Sequence, residues 1–153
     1  MSDFIKKAQD LIFLALVIWR ESRGESKETK IGVAFSILNR VRNPKWWGND
    51  ILSVTTKKWQ YSSMTDPNDV QLTKYPLSND PSWQECLSVA YDVYNDLLIN
   101  PVKGADSYYD ISLDKIGKAP NWATEKEFVK QLGKIKFYNL DRDVEEVKRD
   151  NIK

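Results

Sequence analysis

The sequence predicts an α+β fold, a mainly helical domain with a small antiparallel sheet of short strands. Two observations carry this expectation. Apolar residues recur at helical spacing over the first 42 residues and again after Pro81. Two later runs, each with paired aromatics (Tyr108-Tyr109 and Phe137-Tyr138), read instead as short strands.

The first helix is expected from Asp3 to about Glu21, with Ser2 or Asp3 as N-cap. Phe4, Ala8, Leu11, Ile12, Ala15, Ile18 and Trp19 share its apolar face, and Leu14 and Val17 widen it into a well-buried stripe. Gly24 is its natural stop. A second helix follows from about Lys27 to Arg42, carrying Ile31, Ala34, Phe35, Leu38 and Val41, and Asn43-Pro44 ends it. Residues 44 to 82 read as a long loop region with a short helix near Ile51 to Thr55 and a short strand at Gln60–Met64. Pro81 opens a third long helix reaching about Ile99, with Cys86, Val89, Ala90, Val93 and Leu97 inward. The strands are placed at Ala105 to Asp110 and Ile135 to Leu140, with a short helix from about Thr124 to Leu132 between them, ended by Gly133. Residues 1–140 thus form a single domain, and 141–153 a charged tail nearly free of apolar side chains.

Composition narrows the chemistry. The chain has 153 residues, 41% hydrophobic and 29% charged, values of an ordinary globular domain. Six Trp and seven Tyr suit a core, and equally a carbohydrate groove, where flat rings pack on sugar faces. Net charge is +1, basic in the first 58 residues and acidic from 59 to 110, so no uniformly basic face offers itself to nucleic acid. The single cysteine, Cys86, lies in an apolar helical stretch and reads as a buried structural thiol. The sequence has no histidine, which removes Ser-His-Asp and Cys-His catalysis and every metal site built on imidazole. Carboxylate chemistry remains, with neither metal nor other cofactor expected. The apolar run Leu11–Trp19 is far short of the ~20 residues that span a bilayer. No small-residue cleavage site follows it, so neither a signal peptide nor stable membrane insertion is expected, and synthesis in the cytoplasm is.

Glu21 stands out among the carboxylates because it follows the apolar run and one arginine. Burial there would disfavour its anion and raise its pKa, as proton donation near neutral pH requires. Glu25, four residues on, would add a like charge, whereas Arg20 and Arg23 act in the opposite direction. The residues alone leave open a plain helix end, with Glu21 paired to Arg20 or Arg23.

Several segments in order carry a resemblance. They are Ile18-Trp19-Arg20-Glu21-Ser22-Arg23-Gly24-Glu25, Val33-Ala34-Phe35-Ser36-Ile37-Leu38-Asn39-Arg40-Val41, Gln60-Tyr61-Ser62, Pro101-Val102-Lys103-Gly104-Ala105 with Tyr108-Tyr109, Pro120-Asn121-Trp122, and Leu132 to Tyr138. Together, over about residues 8 to 139, they resemble the SleB-type cell-wall hydrolases, which include spore-cortex-lytic enzymes and phage lysis proteins. The resemblance implies a lysozyme-like fold cleaving peptidoglycan glycan strands between N-acetylmuramic acid and N-acetylglucosamine. The expected reaction is that of a lytic transglycosylase; a muramidase, or a non-catalytic wall-binding or virion module, are the alternatives. It implies Glu21 as the catalytic acid and Glu25 as a second acidic catalytic position. Gln60, Ser62, Tyr108 and Tyr109 are implied as substrate-binding, and Asn39 and Arg40 as residues that fix the site. The family's first Gly, a Cys-Trp pair and a closing His are here Arg20, Ser63-Met64 and Ile135. The expected partner is the glycan strand of a bacterial wall (a host's, for a phage-encoded chain), met by a monomer. Trp46-Trp47 and Trp59 read equally as loop staples and as sugar platforms, and Lys57-Lys58 beside them as a contact for an anionic polymer or a solvated pair.

Overall fold

The computed structural model describes residues 2–140; the charged segment 141–153 lies outside the described residues. The long helices are α1 (Asp3–Ser22), α2 (Lys27–Arg42) and α5 (Pro81–Tyr94). Between α2 and α5 lie the short helices α3 (Ile51–Thr55) and α4 (Ser62–Thr65). The strands are β1 (Ser107–Asp110), β2 (Phe128–Leu132) and β3 (Ile135–Tyr138), with a short helix α6 (Ser112–Lys115) after β1.

The three long helices and α3 each start where a short polar side chain accepts an otherwise unpaired backbone N–H. Ser2 accepts from Ile5, Ser26 from Thr29 and Asp80 from Ser82, while Asp50 and Ser53 form a reciprocal capping box on α3. The core forms where the three long helices meet. Leu14, Val17 and Ile18 of α1, Val33 and Ile37 of α2, and Cys86, Val89 and Val93 of α5 are fully buried. Burial pushes the Cys86 thiol up to about 12, the behaviour of a packing residue and not of a nucleophile.

The sheet is antiparallel in the order β1-β3-β2, with Ser107 opposite Tyr138, Asp110 opposite Ile135, and Leu132 opposite Ile135. It docks on α2 at Gly32, where an added Cβ would stand 3.0 Å from both Leu132 and Phe137. That close approach brings the sheet to the C-terminal end of α1.

Four sequence expectations are corrected. Gln60–Met64 is not a strand: Ser62–Thr65 is helical, closed by Met64 N–H to Tyr61 O (2.9 Å) and Asp66 N–H to Ser62 O (2.9 Å). Among the described residues no strand pairs with it, so local bonds win. Thr124–Leu132 is a 3₁₀ turn at Glu125–Glu127 followed by β2, because Phe128 and Lys130–Leu132 pair with β3, with an irregularity at Val129. Gly133 (φ 54°) makes the hairpin turn, a conformation that would equally have ended a helix. The helix from Pro81 stops at Tyr94, where Asn95 caps it and Asp96 turns left-handed (φ 56°), leaving Leu97 exposed. Phe4 and Ile12 are also exposed, since the first turns of α1 extend past the core. No helix among the described residues is long and apolar enough to cross a membrane.

Candidate active site

The α1 helix ends under the sheet, and Glu21 on its last turn reaches the floor of an open cleft of about 400 Å³. Arg40, Gln60, Ser62, Tyr108, Trp59 and Trp122 are among its walls, so the cleft is built from α2, the 59–62 turn, β1 and the segment before β2. Tyr108 OH donates to Glu21 Oε1 at 3.2 Å. The Tyr108 ring stacks at a tilt between Tyr61 (centroids 6.3 Å apart) and Phe137 (5.8 Å), which surrounds the carboxyl with aromatic surface.

Burial pushes the Glu21 carboxyl up from 4.5 to about 7; the Tyr108 hydroxyl opposes this and the charge of Asp69 adds to it. Asp69 is fixed by Ser62, whose hydroxyl donates to Asp69 Oδ2 at 2.6 Å. The neighbouring arginines are turned elsewhere. Arg20 donates to Ser63 O (3.0 Å) and Lys74 O (3.1 Å), and Arg23 stacks on Trp19 and donates to Trp19 O. Glu21 therefore is not the solvated, arginine-paired helix end that its local sequence also allowed.

The other expected site residues divide. Gln60, Ser62, Tyr108 and Tyr109 all border the cleft. Tyr108 bonds directly to Glu21. Tyr109 points to the opposite side of β1, donates to Asp114 Oδ1 (2.8 Å) and packs with Tyr138 and Trp122 in a second apolar cluster. Glu25 is not a cleft residue: its Oε1 accepts the Lys134 N–H at 2.7 Å, bracing the Gly133 turn. The helix ends at Ser22, so the four-residue spacing does not stack Glu25 on Glu21.

Asn39 and Arg40 bond to segments that lead into or border the cleft. Asn39 Nδ2 donates to Lys103 O (2.7 Å) and Ala105 O (2.8 Å), anchoring the lead-in to β1. The buried Arg40 donates to Asp106 O (2.6 Å), Gln60 Oε1 (3.0 Å) and Ser107 Oγ (3.3 Å), and lies over Trp47 and Tyr61. Asp110 and Trp122 line the cleft as well. Asp110 was within reach of the sequence, because strand alternation puts it on the face of Tyr108; Trp122 comes from a loop that no periodicity predicts. Among the described residues no cluster of three His, Cys, Asp or Glu could hold a metal ion.

The sequence model of the cell wall hydrolase family matches residues 24–138. The chain belongs to the cell wall hydrolase family. Two solved structures share the lysozyme-like fold of this member. The catalytic domain of the germination-specific lytic transglycosylase SleB from Bacillus anthracis is 24% identical, covering 85% of this chain and 93% of that one, with a TM-score of 0.60. The catalytic domain of SleB from Bacillus cereus is 22% identical, covering 85% and 89%, with a TM-score of 0.65. No curated protein matches the sequence. The family match begins after Glu21, so the role of that residue rests on the cleft's geometry.

That geometry makes a first test. A hydrogen bond to a carboxylate favours the anion, so Tyr108→Phe should raise the Glu21 pKa further. The alkaline limb of activity should move to higher pH, and kcat at pH 6 should fall about tenfold as the carboxyl loses its orienting partner. A pH–rate profile on isolated cell walls reads both; an unmoved limb would remove Tyr108 from the acid's control.

Proposed function

We propose that this cell wall hydrolase cleaves the glycan strand of peptidoglycan between N-acetylmuramic acid and N-acetylglucosamine, as a lytic transglycosylase. The observation that carries the proposal is Glu21: a carboxyl raised to about 7, held by one tyrosine at the floor of an aromatic-walled cleft. The lytic transglycosylase named among its structural neighbours supports the same reading.

Near neutral pH a substantial fraction of Glu21 carries a proton, which it gives to the glycosidic oxygen as the C1–O bond of the muramyl residue breaks. The resulting oxocarbenium-like centre is captured by the 6-hydroxyl of the same sugar. The new C1–O6 bond forms while the hydroxyl proton passes to the Glu21 carboxylate, restoring the acid. No enzymic nucleophile is required. Glu25 is committed to the hairpin and Asp69 to Ser62, which leaves Glu21 to act as both acid and base.

A muramidase reading has one observation in its favour. Asp110 lines the cleft, and although its Oδ1 accepts the Ser112 N–H at 2.8 Å, it could position a water. Mass spectrometry of fragments released from sacculi decides between the two. Transglycosylation gives 1,6-anhydromuramyl ends, one water lighter than the reducing ends of hydrolysis. Reducing ends alone would overturn the transglycosylase assignment, and no release of glycan fragments would overturn glycan cleavage itself.

A further inference from the structure

The region between α2 and α5 holds three tryptophans that sequence could not tell apart, and the structure separates them. Trp47 is 3% exposed, donates from Nε1 to Arg40 O (2.8 Å) and is a staple of the core. Trp46 is half-buried, edge-on against Trp47 with centroids 5.4 Å apart. Trp59 is 81% exposed, outside the hydrophobic core, and yet lines the cleft.

Its backbone is also unusual. Trp59 has φ 71°, a left-handed conformation that a bulky side chain rarely adopts. It stands at the tip of a tight turn closed by the Gln60 N–H on Lys57 O (3.1 Å). Gln60 is held in turn by Arg40, so the turn is fixed relative to the catalytic floor. Lys58 Nζ lies over the ring, 5.0 Å from its centroid. An exposed indole and a strained backbone are both unfavourable, and packing in the free chain offsets neither. A flat apolar ring held at the mouth of a cleft suits the C–H face of a pyranose.

We propose that Trp59 is a stacking platform for an N-acetylhexosamine ring of the glycan strand, at the mouth of the cleft and away from the bond that is cut. This rests on the glycan-cleaving assignment above, and it makes Trp59 a binding residue that sets how the strand enters.

The test uses Trp59→Leu, Trp59→Phe and Trp59→Gly in the full chain, with soluble glycan strands carrying their stem peptides. Trp59→Leu keeps an apolar side chain but loses the flat ring, so KM should rise about tenfold with kcat nearly unchanged. Trp59→Phe retains a ring and should stay close to wild type. Trp59→Gly relieves the left-handed strain, so it should lose binding like the leucine variant while melting at or above the wild-type temperature. A wild-type KM in Trp59→Leu, or a clearly lower melting temperature in Trp59→Gly, would overturn the platform and return Trp59 to a structural role. The wild-type arm stands apart: if it neither binds nor cleaves the strands, the glycan assignment itself fails.

Discussion

Glu21→Gln is expected to slow glycan release from sacculi by about 10³-fold or more, the size of a lost general acid. The amide can still accept from Tyr108 but has no proton to give. The same substitution should change stability in a pH-dependent way. Folding raises the Glu21 pKa from 4.5 to about 7, so between those values the folded chain binds more protons than the unfolded one. Wild-type stability therefore falls as pH rises through that window, and above pH 7 the cost of the buried anion is fully present. Glutamine carries no charge and removes that cost. The variant should be more stable than wild type by about 2–3 kcal/mol at pH 8 and nearly equal to it at pH 4. Thermal melts at the two pH values check the sign. Equal gains at both would mean that Glu21 is not held in a site that disfavours its anion, and full digestion by the variant would sink its role as acid.

Arg40→Leu should have the largest structural effect. The guanidinium is buried and bonds to Asp106 O, Gln60 and Ser107, with Trp47 and Tyr61 against its faces. Leucine can fill part of the volume, but it makes none of these hydrogen bonds and leaves the buried Asp106 carbonyl without the guanidinium. The expected loss is about 3 kcal/mol, seen as a denaturation midpoint shifted with little change in m-value. Because Gln60 and Ser107 border the cleft, activity below the melting transition should fall by about tenfold as well. Arg40→Lys should recover only part of both, since an ammonium cannot reproduce the planar fork. If Arg40→Leu melts like wild type, the network is not what joins α2 to β1.

The contrast between Glu21 and Glu25 shows how far sequence reached into the site. Both are acidic, four residues apart, in one conspicuous segment. Spacing treats them as a pair only if the helix continues through both, but it ends at Ser22 and the chain turns. Glu25 then meets Lys134, 109 residues away in sequence, a contact no local pattern encodes. Glu21 could be singled out by the apolar run before it. What surrounds it could not, because Tyr61, Tyr108 and Phe137 arrive from three separate parts of the chain.

The sequence by itself determined the long helices and two of the three strands, because apolar periodicity, polar N-caps and paired aromatics act within a few residues. It also narrowed the chemistry to carboxylates, since a chain without histidine has few other acids and bases. Tertiary structure alone decided the remainder. Phe128–Leu132 became a strand because β3 offered it an edge, where its local signals fitted a helix equally well. Among the three tryptophans of the loop region, identical in kind, only packing could bury Trp47 and leave Trp59 facing the cleft. Glu21 is raised by burial and by the charge of Asp69, against the opposing hydrogen bond from Tyr108, and all three arise only on folding. A pKa depends on everything within a few ångströms, and that neighbourhood exists only after the chain has folded.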